Sequence, residues 1–313
     1  MPEILRPTDE GITRAAGLLA AGELVAMPTE TVYGLAGDAR DPAAVARIFA
    51  AKGRPAHNPL IVHLAGVEGA RTLTDLPEEA KALARSFWPG PLTLVAPLRA
   101  GHGLAPAVTA GLPTVALRLP AHPVARALLA AFGGPVAAPS ANPSGRISPT
   151  TAAHVVAGLG DRVAAVLDGG ACAVGLESTI VGFDAGRAVL LREGGISREA
   201  LEAALGSALA RDASGKVTAP GQLASHYAPR AALRLGVRAP APGEVWIGFG
   251  PDCAGAELTL SAAGDLEEAA ARLFAVLHEA DRMGSPIAVA PVPVAGLGAA
   301  INDRLRRAAA PRG

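Results

Sequence analysis

Short apolar segments of strand length alternate with helical segments along residues 1–205, and this alternation constrains the fold more than any other feature. The pattern predicts strands at 23–27, 59–64, 92–96, 114–119, 135–138, 162–167, 178–183 and 188–192. It predicts helices at 8–22, 42–52, 77–87, 122–132, 150–158 and 198–205. Because strands and helices interleave irregularly, we expect an α/β (α+β) domain built on a mixed sheet.

A second unit is predicted after a stretch of small and polar residues. The hydrophobic pattern weakens over 206–232, where a Pro-Gly pair and several small residues indicate a linker. A strand at 244–249, a long helix, a strand at 286–290 and a final helix follow, with Leu266, Leu273 and Leu277 on one face of the long helix. We therefore predict domains at 1–205 and 233–313, joined by the linker 206–232.

Composition limits the core and the functional class of the chain. Half of the residues are hydrophobic but only 3% are aromatic, so the core must consist mainly of Ala, Val, Leu and Ile. A net charge of zero argues against a chain-wide attraction to nucleic acid, although a local basic cleft would be compatible with it. Cys172 and Cys253 fit neither a disulfide framework nor a zinc site, which favours a reducing compartment. The N-terminal residues lack the apolar run of a signal peptide, and prolines interrupt the apolar stretch 287–301, so no membrane span is expected.

Four polar clusters lie at strand ends or in loops, where functional residues usually occur. They are 28–34 (PTETVYG), 52–63 (KGRP, NPLI and His63), 139–148 (PSANPSG and Ser148) and 177–195 (ESTI and LREGG). Each alone could be a helix cap, a helix C-terminus, a loop or, for His63, a core histidine. Their occurrence together around one predicted sheet favours a shared site, and Lys52, one of three lysines, suggests a need for a compact ammonium there.

Common nucleotide-binding and hydrolase motifs are missing from the sequence. Neither a P-loop nor a G-x-G-x-x-G fingerprint occurs, and HExxH, G-x-S-x-G and paired CxxC motifs are also absent. Any nucleotide site must therefore be built in another way.

Six ordered segments resemble the successive motifs of the YrdC catalytic domain. They are PTETVYGL, KGRPxxNPLIVH, FWPGPLT, VALRLPxHP, APSANPSGxxSPT and ESTIVGF, and SHYAP and NDRLRRAA further on resemble the C-terminal Sua5 domain. The chain is thus identified as a member of the Sua5/YrdC family. The resemblance implies a YrdC-like twisted mixed sheet with flanking helices and a concave active-site face. It also implies a small Rossmann-like α/β domain at the C-terminus.

The family resemblance implies an activity and its substrates. The expected activity is that of an L-threonylcarbamoyladenylate synthase, a nucleotidyltransferase that converts L-threonine, bicarbonate and ATP into threonylcarbamoyl-AMP and pyrophosphate for tRNA modification. Mg²⁺ is expected to be held mainly by the ATP phosphates and water. Hand-over of the product to the tRNA threonylcarbamoyl transferase complex, weak or no direct binding of nucleic acid, no membrane association and a cytoplasmic location are also implied.

The resemblance also implies roles for residues at the matching positions. Threonine would be held by Thr31, His63, Arg118, the backbone at Ala138, and Ser178. ATP would be held by Lys52, Arg54, Asn58, Thr114, Ser140, Ser148, Arg192 and Tyr227, and no residue is implied as a metal ligand. Lys52, Arg54 and His63 are the expected catalytic residues, and His63 could act either as the base for the threonine ammonium or only as a positioning group. Family members often carry basic residues before HYAP, where residues 222–225 here are Gln-Leu-Ala-Ser, so a charge contribution of this lid segment is not expected.

Two other functions compete with this interpretation. A nucleic-acid-binding or ribosome-assembly protein could use the same concave surface, but zero net charge, few aromatic residues and the lack of a long basic run argue against it. Carbamoyl-transfer enzymes of hydrogenase maturation contain a similar domain. They also carry zinc-finger cysteines and extra domains, which two cysteines and 313 residues do not provide.

Overall fold

The computed structural model describes residues 1–211 and 226–311, which form two sheets flanked by helices. The helices are α1 (Asp9–Ala20), α2 (Pro42–Lys52), α3 (Val67–Leu73), α4 (Glu78–Phe87), α5 (Pro106–Thr109), α6 (Pro123–Phe132), α7 (Ala152–Leu159), α8 (Arg198–Leu205), α9 (Leu266–Met283) and α10 (Gly298–Ala309). The strands of the first sheet are β1 (Glu3–Leu5), β2 (Val25–Met27), β3 (Gly34–Asp38), β4 (Ile61–His63), β5 (Leu92–Pro97), β6 (Thr114–Arg118), β7 (Val136–Ala137), β8 (Ala165–Leu167), β9 (Thr179–Asp184), β10 (Arg187–Arg192) and β11 (Ala210–Arg211). The strands of the second sheet are β12 (Leu233–Leu235), β13 (Val245–Gly248), β14 (Leu258–Thr259) and β15 (Ile287–Val289).

The first sheet is mixed, with the strand order β1-β8-β2-β3-β7-β4-β6-β5-β9-β10-β11. β4 runs parallel to β6, whereas β5 and β6 are antiparallel. The mixed α/β class predicted from the sequence is thereby confirmed. β11 pairs with β10, so this sheet continues past residue 205, and most of the predicted linker, residues 212–225, lies outside the described residues.

Strand β3 was not predicted, because its sequence GLAGD contains two glycines that weaken a strand pattern. The structure explains them by close packing. A Cβ atom at Gly34 would lie 3.2 Å from the Cβ of Ala138, and one at Gly37 would lie 3.1 Å from side-chain atoms of Ile48 and Leu24. The edge strands β1 and β12 also escaped prediction, since each is three residues long and depends on pairing with its neighbour.

Helix α2 delivers the second polar cluster to the sheet. The Asp41 side chain accepts a hydrogen bond from the backbone N–H of Ala43, and Pro42 occupies the first turn, which together begin the helix. Gly53 ends it in the left-handed conformation at φ 59°, so the chain turns away directly after Lys52.

Alternating residues of the strands separate the core from the opposite, concave face of the sheet. On β4, Val62 belongs to the main aliphatic core while Ile61 and His63 point to the opposite face. On β6, Leu117 packs in that same core while Ala116 and Arg118 share the face of His63. This concave face carries the candidate site.

The second sheet is all-parallel, with the order β12-β15-β13-β14, and it is packed by α9 and α10. This arrangement agrees with the predicted C-terminal α/β unit, although that prediction contained only two of the four strands. One apolar cluster joins this unit to the first sheet, because Val32 and Leu176 pack with Leu273 and Phe274 of α9. Gly175, at φ 70°, permits this approach: a Cβ there would lie 2.5 Å from the carbonyl oxygens of Ala270 and Ala271. None of the described helices could serve as a membrane span.

Candidate active site

A cavity on the concave face is lined by residues of all four polar clusters. The free space in it, counted together with the open solvent at its mouth, is about 570 Å³. The predicted site residues that line it are Thr31, Arg54, His63, Arg118, Ala138, Ser140, Ser178, Arg192 and Tyr227. Four segments that are far apart in the sequence therefore converge at one place.

One end of the cavity is built around a buried ion pair. Arg118 Nη2 donates to Glu30 Oε1 at 2.7 Å, and Arg118 Nη1 donates to Thr31 Oγ1 at 2.8 Å. The second carboxylate oxygen of Glu30 accepts hydrogen bonds from the backbone N–H groups of Ala121 and His122. Burial raises the pKa of Glu30, but the charge and hydrogen bond of Arg118 outweigh burial and hold that pKa below its usual value. Arg118 is thus fixed as a planar fork facing the cavity.

His63 lies directly across from Arg118 in the parallel pairing of β4 and β6. Its ring is buried, and Nδ1 has no hydrogen-bond partner within the described part of the chain. Burial, followed by the nearby Arg118 charge, lowers the pKa of His63 to about 3. The imidazole is therefore neutral near pH 7, with a ring nitrogen free to meet a ligand.

Ser178 connects the centre of the cavity to the fourth cluster. Its hydroxyl lies 2.7 Å from that of Thr93 on the neighbouring strand β5, and Arg192 Nη2 donates to the Ser178 carbonyl at 2.7 Å. Burial and the charge of Arg304 are among the causes that lower the pKa of Arg192 to about 10. The Arg192 guanidinium therefore stays charged near pH 7, although its surroundings disfavour the charge.

The other end of the cavity contains Arg54. Its guanidinium donates to the Asn58 backbone and side-chain oxygens and to the Pro59 carbonyl, at 2.6–3.1 Å. Burial, followed by repulsion from Arg192, lowers the pKa of Arg54 to about 10. Asn58 Nδ2 is buried with no hydrogen-bond partner among the described residues. Asn58 is not among the residues that line the cavity, but the buried Arg192, the partly buried Arg54 and this unused amide donor together make the region suitable for an anion.

Lys52 is not among the residues that line the cavity, contrary to the position expected for it. Its ammonium donates instead to the backbone carbonyls of Ser140 and Asn142, beneath the loop 139–148. Burial, followed by repulsion from Arg54, lowers the pKa of Lys52 well below its usual value. Helix α2 ends at Lys52, so its side chain is directed under the loop rather than into the open cavity.

Thr114 and Ser148 also lie outside the cavity lining. Thr114 starts β6 and by strand alternation shares the face of Arg118, four residues away. Ser148 is fully buried, and its hydroxyl donates to Glu177 Oε1 at 2.6 Å.

Three functional candidates were not predicted from the sequence: Glu30, Glu177 and Arg304. Glu30 and Glu177 lie inside the polar clusters, but their negative charge is the same as that of a nucleotide. Nothing in the sequence indicates that each of them pairs with an arginine. The signal for Arg304 was its place on the apolar face of α10 with Ile301, Leu305 and Ala308, where a charge requires a buried partner.

Residues 226 and 227 close the cavity from the side of the C-terminal unit. Both are buried, and Tyr227 adopts a positive φ of 62°. Burial is the main cause that lowers the pKa of His226 to about 3, and its Nδ1 has no hydrogen-bond partner in the described ranges. The predicted effect of residues 222–225 on this closure lies outside the described residues.

The carboxylates of the cavity are already engaged. Glu30 binds Arg118, and Glu177 accepts from Ser148 and from Arg304, which leaves neither as an open metal ligand. Within 1–211 and 226–311, no three His, Cys, Asp or Glu side chains are grouped so that they could hold a metal ion.

Two family models cover almost the whole chain. The Sua5/YciO/YrdC model, described as "Telomere recombination", matches residues 17–194. The model described as "Threonylcarbamoyl-AMP synthase, C-terminal domain" matches residues 196–310.

Similar proteins are known from several organisms. A threonylcarbamoyl-AMP synthase of Bacillus subtilis is 48% identical over 74% of this chain and 68% of its own length. One from Pyrococcus abyssi is 41% identical over 94% of this chain and 92% of its own length. The crystal structure of P. abyssi Sua5 complexed with L-threonine superposes with a TM-score of 0.89 at 38% identity, covering 99% of this chain and 97% of that one. Escherichia coli YciO, at 21% identity and a TM-score of 0.57 over 62% of this chain and 96% of its own, shares the fold of the first sheet.

Proposed function

The chain belongs to the Sua5/YrdC family, and on that premise we propose that it is a threonylcarbamoyl-AMP synthase acting as a nucleotidyltransferase. Its substrates are L-threonine, bicarbonate and ATP, and its products are threonylcarbamoyl-AMP and pyrophosphate. The observation that carries the proposal is the cavity itself, which Arg118, held by Glu30 and Thr31, lines together with the buried Arg192 and the partly buried Arg54.

Threonine binds at the end built by Arg118. The guanidinium, already oriented by Glu30, pairs with the threonine carboxylate in a planar geometry that a lysine could not provide. The hydroxyls of Thr31 and Ser178 and the backbone at Ala138 orient the rest of the amino acid. The similarity to a P. abyssi protein crystallised with L-threonine supports this assignment.

ATP binds at the end built by Arg54 and Arg192. Arg192 is buried and Arg54 is partly buried, and repulsion from Arg192 lowers the pKa of Arg54, so an anionic ligand would relieve the repulsion between them. Asn58, Thr114, Ser140, Ser148 and Tyr227 are proposed as the remaining ATP contacts. Lys52 is proposed to act on ATP through the loop 139–148 and not through direct contact.

The reaction requires positioning more than proton transfer. The neutral amine of threonine attacks the carbon of CO₂ and releases a proton, or attacks bicarbonate with loss of water, and the new N–C bond gives an N-carboxylated threonine. A carbamate oxygen then attacks the α-phosphorus of ATP, the bond between the α-phosphorus and the bridging oxygen breaks, and pyrophosphate leaves. Arg54 and Arg192 neutralise the charge that develops on the phosphates.

His63 positions threonine rather than serving as its base. A pKa of about 3 makes the imidazole a poor acceptor for an ammonium proton near pH 7, so its role is to form a hydrogen bond in the neutral form. His226 and Tyr227 exclude water from the reactive mixed anhydride. Mg²⁺, held by phosphate oxygens and water, would add charge neutralisation, and the product would pass to the transferase that modifies tRNA.

The test is an assay of pyrophosphate release with purified protein, ATP, bicarbonate and labelled threonine. Threonine-dependent pyrophosphate and a labelled adenylate are expected. If pyrophosphate release does not depend on threonine, the proposed activity is wrong.

A further inference from the structure

Arg304 is a fully buried arginine that extends from the C-terminal unit to the wall of the cavity. It lies on α10 and has no exposed side-chain surface. Its Nε donates to Glu177 Oε2 at 2.9 Å, Nη1 donates to Asp303 at 2.9 Å, and Nη2 donates to the Glu193 carbonyl at 2.8 Å. Glu177 and Glu193 belong to the fourth polar cluster, so the Arg304 side chain connects α10 to the unit built on the first sheet.

Glu177 places a carboxylate where the proposed phosphates bind. It lines the same cavity as Arg54 and Arg192, and its second oxygen holds the hydroxyl of Ser148. An unpaired carboxylate at this position would repel a triphosphate in a region of low dielectric constant. Burial raises the pKa of Glu177, but the charge of Arg304, followed by that of Arg192, outweighs burial and keeps the group ionised.

We propose that Arg304 is a positioning residue for ATP, which neutralises Glu177 so that this carboxylate can hold Ser148 without repelling the phosphates. The inference rests on the proposed function, and it assigns the C-terminal unit a part in building the nucleotide site. Arg304 itself touches neither substrate and acts through Glu177.

The same helix also holds the residues that close the cavity. The guanidinium of Arg304 lies 5.3 Å from the centre of the Tyr227 ring, and the backbone carbonyl of Arg307 accepts from the His226 N–H at 3.2 Å. Helix α10 therefore sets the charge of the cavity wall at Glu177 and also the position of His226 and Tyr227, which close the cavity.

Charge neutralisation can be separated from simple packing by comparing four proteins. These are Arg304→Met, Glu177→Gln, the double variant with both changes, and Arg306→Met as the control. Methionine keeps much of the length of arginine but loses its charge, whereas glutamine keeps the shape of Glu177 and can still bind Ser148. Arg306 is an exposed arginine on the same helix, so its loss tests α10 without touching Glu177.

The expected results follow from the charge of Glu177. Arg304→Met should raise the KM for ATP by about tenfold or more, with a smaller change in kcat, because a buried carboxylate is left without its main partner. The double variant should have a KM for ATP within about threefold of that of Glu177→Gln alone, since Arg304 then has no carboxylate at the nucleotide site to neutralise. Arg306→Met should behave as the wild type.

Binding of ATP alone to each intact protein, measured by calorimetry, provides a readout that does not depend on turnover. If Arg304→Met binds ATP as the wild type does, or if the double variant is as impaired as Arg304→Met, the inference is wrong. If Arg304→Met does not fold, Glu177→Gln and the double variant still decide the matter, because further loss of ATP affinity in the double variant contradicts the inference. A wild type that binds ATP but releases no threonine-dependent pyrophosphate would overturn the proposed function and leave this charge relationship to be judged by binding.

Discussion

Lys52 Nζ lies 2.6 Å from the backbone carbonyl oxygen of Asn142, in the middle of the polar loop 139–148. The same ammonium also bonds the carbonyl of Ser140, and the Lys52 carbonyl accepts from the Ser144 N–H at 2.7 Å. Three hydrogen bonds thus join the end of α2 to the loop. Lys52, which the family resemblance implies as an ATP contact, is thus a support for the loop 139–148.

Replacing Lys52 by methionine should therefore destabilise the fold and disturb the ATP site together. Two buried carbonyls would lose their donor, which is expected to cost about 1–3 kcal/mol each in the free energy of unfolding. The KM for ATP should rise because the loop is no longer held. Denaturant unfolding and ATP titration measure the two effects, and Lys81→Met, which removes a lysine from an exposed i,i+3 pair with Glu78, is the control. A Lys52→Met protein of normal stability but without ATP binding would instead favour direct contact with phosphate.

Arg54 should matter for ATP far more than for threonine. Alanine at this position removes a partly buried cation from the cavity and leaves the Asn58 and Pro59 oxygens without their donor. We expect the KM for ATP to rise by about a hundredfold, while the KM for threonine changes much less. Arg85→Ala, which removes an exposed arginine on α4, should leave both constants unchanged. Near-normal ATP use by Arg54→Ala would remove this residue from the site.

Arg118 should show the opposite selectivity. Lysine keeps the charge but cannot donate to Glu30, Thr31 and a carboxylate ligand with the geometry of a planar fork. The KM for threonine is expected to rise by about tenfold to a hundredfold, with a smaller effect on ATP. Steady-state kinetics with each substrate varied in turn provides the measurement, and Arg126→Lys on the exposed side of α6 is the matched control. Equal effects on both substrates would contradict a separate threonine subsite.

Much of the candidate site follows from the sequence because its residues lie at positions fixed by strand alternation. Once 59–64 and 114–119 are recognised as strands, alternation places His63 and Arg118 on one face and Val62 and Leu117 in the core. Such local rules require only the order of polar and apolar residues.

Contacts that depend on the relative placement of distant segments could not be predicted in this way. Nothing near Arg304 in the sequence identifies Glu177 as its partner, since the pair forms only when α10 comes against the loops that contain Glu177 and Glu193. The glycine-containing strand β3 shows the same limit, because its close packing against Ala138 and Ile48 is a property of the assembled fold and not of the segment.

The low pKa of His63 leads to a prediction about pH and stability. The folded protein keeps His63 neutral down to about pH 3, whereas the unfolded chain binds a proton at this residue below about pH 6.5. Unfolding therefore takes up a proton between these values, and this residue makes the protein less stable as the pH falls from 6.5 towards 3. His63→Gln should lose less stability over that range, as measured by denaturant unfolding at several pH values. The exposed His57→Gln should follow the wild type.

The same variant distinguishes a positioning role for His63 from a role as general base. Glutamine can donate and accept hydrogen bonds but cannot take a proton near neutral pH, so His63→Gln should retain much more activity than His63→Ala. A group with a pKa of about 3 does not titrate between pH 5 and 9. The pH profiles of kcat/KM for threonine should therefore have the same inflections in the wild type and in His63→Gln over that range. An inflection near pH 6.5 that disappears in His63→Gln, together with equal loss of activity in the glutamine and alanine variants, would identify His63 as the base. Retained activity with an unchanged pH profile would instead mean that the imidazole contributes a hydrogen bond to threonine, and that the amine loses its proton to solvent or to bicarbonate.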